Sequence, residues 1–271
     1  MIITNDVSLI TFVPFAIMML KQCGRQELMI PVVVLQTIAA NLGSMLTPIG
    51  NPQNLYLYGL AGKGIGEFIM WLLPYTIVSA LLLVISILLI KNKNEIICIE
   101  DTDSEAAHNT SVPRVMAYSV LFILALLVVA RVLTWYILAA AVLITVLLLE
   151  KNVLTKADYA LLLTFIGFFI FTGNMGRVEP VAHFLAGIVN GQCISNVPAA
   201  LLLSGFTDNI KNLSIGVNIG GLGTLIASMA SLISYKLYAN EVPEKKGKYF
   251  AVFTVYNIIF LVVLYVFTKL I

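Results

Sequence analysis

Charge is what this chain has least of. Only 11% of its 271 residues are Asp, Glu, Lys or Arg, whereas 60% are AVILMFWYC and the mean hydropathy is +0.98. A soluble domain averages about 25% charged residues, so a water-soluble globular fold is excluded. The 16 Lys+Arg and 14 Asp+Glu leave a formal net charge of +2, which provides no basic field and excludes nucleic acid as a partner. Cysteine and histidine are equally sparse. Cys23, Cys98 and Cys193 stand apart, with no CxxC and no His-containing metal spacing, so neither a disulfide framework nor a zinc site is supported. HExxH, GxSxG and Walker A motifs are missing, and Ser204 with His183 has no recognised spacing, so no enzyme is expected and no cofactor. The first residues lack a basic region and a small-residue cleavage site, which rules out an ordinary signal peptide.

What the chain has instead is long apolar sequence. A hydrocarbon core about 30 Å thick takes roughly 20 apolar residues per helix, so this length allows eight or nine spans. Apolar segments fall at about 7–20, 28–59, 67–90, 115–131, 133–149, 158–176, 180–193, 197–210, 213–238 and 249–270. Leu81–Ile90, Leu121–Ala130 and Leu143–Leu149 are apolar on every face, which suits helices in lipid and not the alternation of a barrel strand. The predicted class is an all-α polytopic membrane protein. Two segments are not plain spans. Within 28–59, the run Asn41 to Pro52 holds two glycines and two prolines and reads as a broken helix. The 180–210 stretch has Gly187, Gly191, Ser195-Asn196 and Pro198 near its centre and two short arms, as in a re-entrant hairpin. Residues 115–149 exceed one crossing, which places a tight turn near Arg131–Trp135. The hydrophilic stretch Lys91–Pro113 divides the chain into a first repeat at 1–90, a linker at 91–113 and a second repeat at 114–271.

The two halves resemble each other. Thr4-Asn5 recurs as Ser195-Asn196, and Asn41-Leu-Gly-Ser-Met-Leu-Thr-Pro-Ile-Gly50 recurs as Asn218-Ile-Gly-Gly-Leu-Gly-Thr-Leu-Ile-Ala227. Threading the spans puts Lys21, Arg25, Lys91, Lys93, Arg114, Lys151, Lys156, Lys236, Lys245, Lys246 and Lys248 on one side, with Lys63, Arg131, Arg177, Lys211 and Lys269 on the other. The positive-inside bias makes the first side, and with it the 91–113 linker, cytoplasmic in an inner (plasma) membrane. The first tip then leads into an arm that exits to the cytoplasm, and the second hairpin opens outward, so the repeats are inverted. Inverted repeats with matched helix breaks are the architecture of secondary transporters. Freed backbone groups cost several kcal/mol in lipid unless an ion, ligand, water or protein partner meets them.

At these residues the sequence resembles the ion transporter superfamily, which includes citrate and dicarboxylate symporters, arsenite/antimonite permeases and sodium/proton antiporters. The likeness is carried by Thr4-Asn5-Asp6-Val7, Gly43 to Asn54, Ser195-Asn196-Val197-Pro198 and Asn218 to Thr224. It implies paired hairpin tips and paired unwound helices. Thr4, Asn5, Gly43, Ser44 and Thr47 would form one ion or substrate half-site, and Ser195, Asn196, Gly220, Gly221 and Thr224 the other, with Gly50 and Asn51 in the first break. A coupling Na⁺ would meet Asn5, Ser44, Asn196 and Gly221; H⁺ is the other coupling ion the resemblance allows. The implied function is symport of a small anion, a di- or tricarboxylate such as citrate ahead of arsenite or antimonite. An ion channel, or an inactive or regulatory fragment of a permease, are the alternatives. The resemblance also implies helices ahead of the first tip, so a missing N-terminal segment or a second copy joins the anion and the lipid bilayer as an expected partner.

Individual side chains leave two readings each. Asp6 is a cation ligand or proton carrier, or else an N-cap for the helix that follows. Asn5, Asn51 and Asn196 offer carbonyl oxygens to ions, or cap broken helix ends. His183 reads as a rim histidine in preference to a pH sensor. Arg177 and Glu179 read as an interfacial ion pair, Arg131 and Trp135 as interfacial anchors, and Cys193 as small-residue packing at a tip. Pro48 and Pro52 shape the break.

Overall fold

The computed structural model describes residues 4–90, 112–130, 132–149 and 195–271, with isolated positions 163, 166, 167 and 170. Arg131, Arg177, Glu179, His183, Cys193, the first arm of the second hairpin and nearly all of the 91–113 linker lie outside the described residues. Helices account for the ordered elements and no strand occurs among the described residues, so the protein is an all-α membrane protein. The helices are α1 (Asn5–Gln22), α2 (Met29–Ser44), α3 (Pro52–Ala61), α4 (Ile65–Leu88), α5 (Val112–Val129), α6 (Trp135–Leu149), α7 (Asn196–Leu203), α8 (Ile210–Gly220), α9 (Met229–Glu241) and α10 (Lys246–Leu270). Among the described residues, three stretches are long and apolar enough to cross a membrane: Gln26–Ser44, Ile65–Leu88 and Pro243–Leu270.

The chain forms two compact units, residues 100–166 and the remainder. In the smaller, α5 and α6 pack on each other. The turn expected near Arg131–Trp135 lies between Val129 and Trp135, where the Val132 and Leu133 amides donate to the Leu127 carbonyl.

In the larger unit, burial follows stripes. α1 buries Asn5, Leu9, Val13 and Ile17, one side chain per turn, and exposes Val7, Ile10, Phe12 and Phe15 to the lipid region. α10 does the same with Tyr249, Phe253, Asn257, Phe260 and Leu264. Lipid is the solvent for the outer faces, so apolar side chains line the exterior while asparagines and serines gather inside.

Contacts along α10 give the directions of the other helices. Its first turn follows α9, whose last residue, Glu241, pairs with Lys21 at the end of α1. About 32 Å further on, Phe267 meets Tyr75 of α4 with ring centroids 5.5 Å apart. Near the start of α4, Phe68 meets Tyr58 of α3 at 5.7 Å. The C-terminal ends of α1 and α9 therefore share one face of the unit, and the C-terminal end of α3 lies toward the opposite face. α7 accompanies α3, tied by a 2.9 Å hydrogen bond between Tyr56 and Ser204. α1 and α7 are the arms that follow the two tips, α1 packing on α2 and α9, and α7 on α3 and α8.

Candidate functional site

Each break has a local cause. α2 ends at Ser44, and Thr47 is extended (φ −118°, ψ 151°) before Pro48, which has no amide to continue the ladder. A 3-10 turn over Pro48–Gly50 returns the chain so close to α2 that a Cβ on Gly50 would lie 1.9 Å from the Ser44 carbonyl oxygen. No other residue fits there. Asn51 then caps α3, its Oδ1 accepting the Asn54 amide at 2.9 Å, and Pro52 occupies the first helical position. The second break repeats the sequence of events. α8 ends at Gly220, Thr224 is extended (φ −88°, ψ 161°), a 3-10 turn covers Leu225–Ala227, and Ser228 precedes α9. The Thr47 carbonyl accepts from Gly50 and the Thr224 carbonyl from Ala227, both at 3.2 Å.

The two hairpin tips match as well. Thr4 (φ −63°, ψ 154°) and Ser195 (φ −57°, ψ 149°) hold the same extended conformation. Asn5 Oδ1 accepts the Asp6 amide at 2.9 Å, and Asn196 Oδ1 accepts the Val197 amide at 3.0 Å.

Around the breaks the asparagines form two clusters that exchange partners between the repeats. In the first, Asn41 of α2 accepts from Ser228 at 3.0 Å and donates to Ser231 at 3.1 Å, both on the α9 side of the second break. Asn5 at the first tip donates to the same Asn41 Oδ1 at 3.4 Å. In the second, Asn218 of α8 accepts from Asn51 at 3.2 Å and donates to Asn54 at 2.7 Å, both on the α3 side of the first break. The second tip sits against the same region, since a Cβ on Gly221 would come 3.3 Å from Asn196 Nδ2. Ser44 joins the clusters: it accepts from Asn51 at 3.2 Å and donates to the Asn41 carbonyl at 2.8 Å. None of these asparagines is more than 7% exposed.

This assembly satisfies part of what the breaks set free. Asn54 Nδ2 lies 2.7 Å from the Met45 carbonyl oxygen and 3.3 Å from that of Thr47. The N-termini of α1, α3, α7 and α9 all lie at the clusters, each carrying a partial positive charge suited to an anion. Asp6 is in the first turn of α1, half-buried, and its Oδ1 has no hydrogen-bond partner. Val197 holds the matching place at the second tip, so the acid belongs to one half only.

Of the residues expected from sequence, Asn5, Ser44, Gly50, Asn51, Asn196 and Gly221 enter the clusters through side-chain or close-packing contacts. Thr4, Thr47, Ser195 and Thr224 shape the tips and breaks with their backbones. Gly43 lies within α2 and Gly220 at the end of α8. The four residues named for Na⁺ divide between the clusters, with Asn5 in the first, Asn196 and Gly221 in the second, and Ser44 between them. Ser228 and Ser231 were not expected. Continuing the repeat register four residues past Ala227 pairs them with Asn51 and Asn54, which is the signal that finds them.

Comparison with known proteins gives a consistent picture. Residues 1–211 match the citrate transporter family (CitMHS). The chain is 34% identical over 281 residues to the uncharacterized transporter MJ0456 of Methanocaldococcus jannaschii, an alignment covering 99% of this chain and 75% of that one. It is 30% identical over 266 residues to the inner membrane protein YbiR of Escherichia coli, covering 88% of this chain and 66% of the relative. No solved structure matches it.

Proposed function

The chain belongs to the citrate transporter family, and from that premise we propose that it is a secondary active permease for a small carboxylate anion. A di- or tricarboxylate is favoured over arsenite, and Na⁺ or H⁺ supplies the driving gradient. The observation that carries this reading is the convergence of four helix N-termini on two asparagine clusters built by exchange between the two repeats. N-termini bind carboxylates through amide donors and partial positive charge, and acceptor oxygens at the same place hold a coupling cation. Asp6, with one unpartnered carboxylate oxygen, is the residue favoured for that cation. The first tip, with α1, and the second, with α7, move against the broken helices to admit the substrate from the two faces in turn, the face bearing Lys21 and Glu241 being cytoplasmic.

Uptake of labelled citrate, succinate and arsenite into proteoliposomes, with and without Na⁺ and pH gradients, tests the proposal. Gradient-dependent accumulation of a carboxylate is the expected result; no accumulation of any of the three overturns it. Asn196→Ala is expected to abolish uptake while the protein still inserts, and retained uptake would remove Asn196 from the site.

A further inference from the structure

Gln53 stands out from the side chains around the second cluster. It is 1% exposed, in the first turn of α3 between Asn51 and Asn54, and its Oε1 has no hydrogen-bond partner. A buried amide oxygen left unpaired has lost its hydration with nothing in exchange, a penalty that folded proteins rarely carry without a use. Its setting gives the use a direction. Leu57, one turn further along the same face of α3, packs on Ala199 and Ala200 of α7 and on Leu213 and Val217 of α8. Gln53 therefore lies on the face of α3 turned to the second hairpin arm, one turn nearer the tip that carries Asn196. The repeat register pairs Gln53 with Ala230, so the matching position beside the first cluster carries no amide.

The amide donors of the three asparagines of the second cluster are directed elsewhere. Asn51 donates to Ser44 and Asn218, Asn218 to Asn54 and the Ser214 carbonyl, and Asn54 to the Met45 and Thr47 carbonyls. A fully ionised carboxylate has nothing to donate to Gln53. A substrate that completes this site must bring its own donor as well as its negative charge.

Resting on the proposed carboxylate transport, we propose that Gln53 is a specificity-determining residue whose Oε1 accepts a hydrogen bond from a hydroxyl group of the substrate, so that the permease selects hydroxycarboxylates over their deoxy analogues. A pocket built to pair with a hydroxyl leaves a buried acceptor unpaired when the analogue binds, which penalises that analogue strongly.

The test compares two substrate pairs in proteoliposomes: citrate with propane-1,2,3-tricarboxylate, and malate with succinate. The wild-type chain is expected to favour the hydroxylated member of a pair by about tenfold or more in uptake efficiency. Gln53→Met, similar in shape but with no acceptor oxygen, is expected to bring that ratio close to one by impairing the hydroxylated substrate more than its analogue. Gln53→Glu, which keeps an acceptor, is expected to retain the preference, and it decides the matter if the methionine variant fails to insert. Equal uptake of both members by wild type overturns the proposal, as does an unchanged ratio in Gln53→Met, an equal loss on both substrates, or a lost preference in Gln53→Glu. A change confined to the Na⁺ half-saturation would make Gln53 a cation ligand and also overturns it. Uptake of neither member by wild type is a failure of the transport reading, which is thereby kept distinct from a failure of the selectivity reading.

Discussion

Asn41 and Asn218 occupy equivalent places in the two repeats and perform the same operation on opposite halves. Asn41 binds Ser228 and Ser231, and Asn218 binds Asn51 and Asn54. In each case the end of one repeat's first half-helix holds the cap and the third helical residue of the other repeat's second half-helix. Neither broken helix is held in shape by its own repeat alone.

The bonds made by Asn218 set a first expectation. Interhelical hydrogen bonds in membranes average about 0.6 kcal/mol, and an orphaned buried group costs about 1–3 kcal/mol. Asn218→Ala strands groups on both Asn51 and Asn54, so it should lower stability by roughly 2–3 kcal/mol, with Asn41→Ala close behind. Thermal unfolding in detergent measures this against Asn240→Ala, an exposed site on α9 expected within about 0.5 kcal/mol of wild type. Equal melting of all three variants would deny the asparagines their structural role.

At the first break the prediction is steric. Gly50→Ala places a methyl carbon 1.9 Å from the Ser44 carbonyl oxygen, and backbone must shift to admit it. The expected cost is at least about 2 kcal/mol. Gly216→Ala on an exposed face of α8, where an added Cβ meets nothing within 4 Å, should be neutral or stabilising by up to about 1 kcal/mol. The matching position of the second break already carries Ala227, so that break is expected to accept Ala227→Gly with little loss. The yield of folded protein and its melting temperature distinguish these outcomes.

Lys21 and Glu241 make an ion pair in which both side chains are more than a third exposed. Such pairs contribute no more than about 1 kcal/mol. Lys21→Ala and Glu241→Ala should each have a small effect that disappears at 1 M salt, where the screening length is about 3 Å. A large effect that persists in salt would show that packing, not charge, joins the ends of α1 and α9.

Asp6 separates coupling from recognition. Uptake by Asp6→Asn is expected to lose its response to the ion gradient that drives the wild-type chain, while the order of preference among anions stays the same. An unaltered gradient response would assign Asp6 to capping α1.

The fold was largely legible in the sequence because its strongest signals are local. Two glycines and two prolines between Asn41 and Pro52 leave α2 no way to continue, and the apolar runs have the length a bilayer requires. The tips were legible as repeated Thr/Ser-Asn pairs. The cross-repeat bonds were not, because they join residues 164 to 190 positions apart and nothing in a local pattern states which asparagine faces which serine. Ser228 and Ser231 were missed for a further reason: serine at a helix start reads as an ordinary cap, and these two become distinctive only in the register that sets them against Asn51 and Asn54. Gln53 was passed over within a motif whose other members are more conspicuous, since the lack of a partner for its oxygen is visible only once the burial around it is known.

The exchange between Asn41 and Asn218 makes the two halves of the chain interdependent. Asn41 finds its serine partners at the second break, and Asn218 finds its asparagine partners at the first. A displacement of either broken helix is therefore felt at the caps of the other. The matching places that differ in chemistry, Gln53 against Ala230 and Asp6 against Val197, are where the two halves stop being interchangeable.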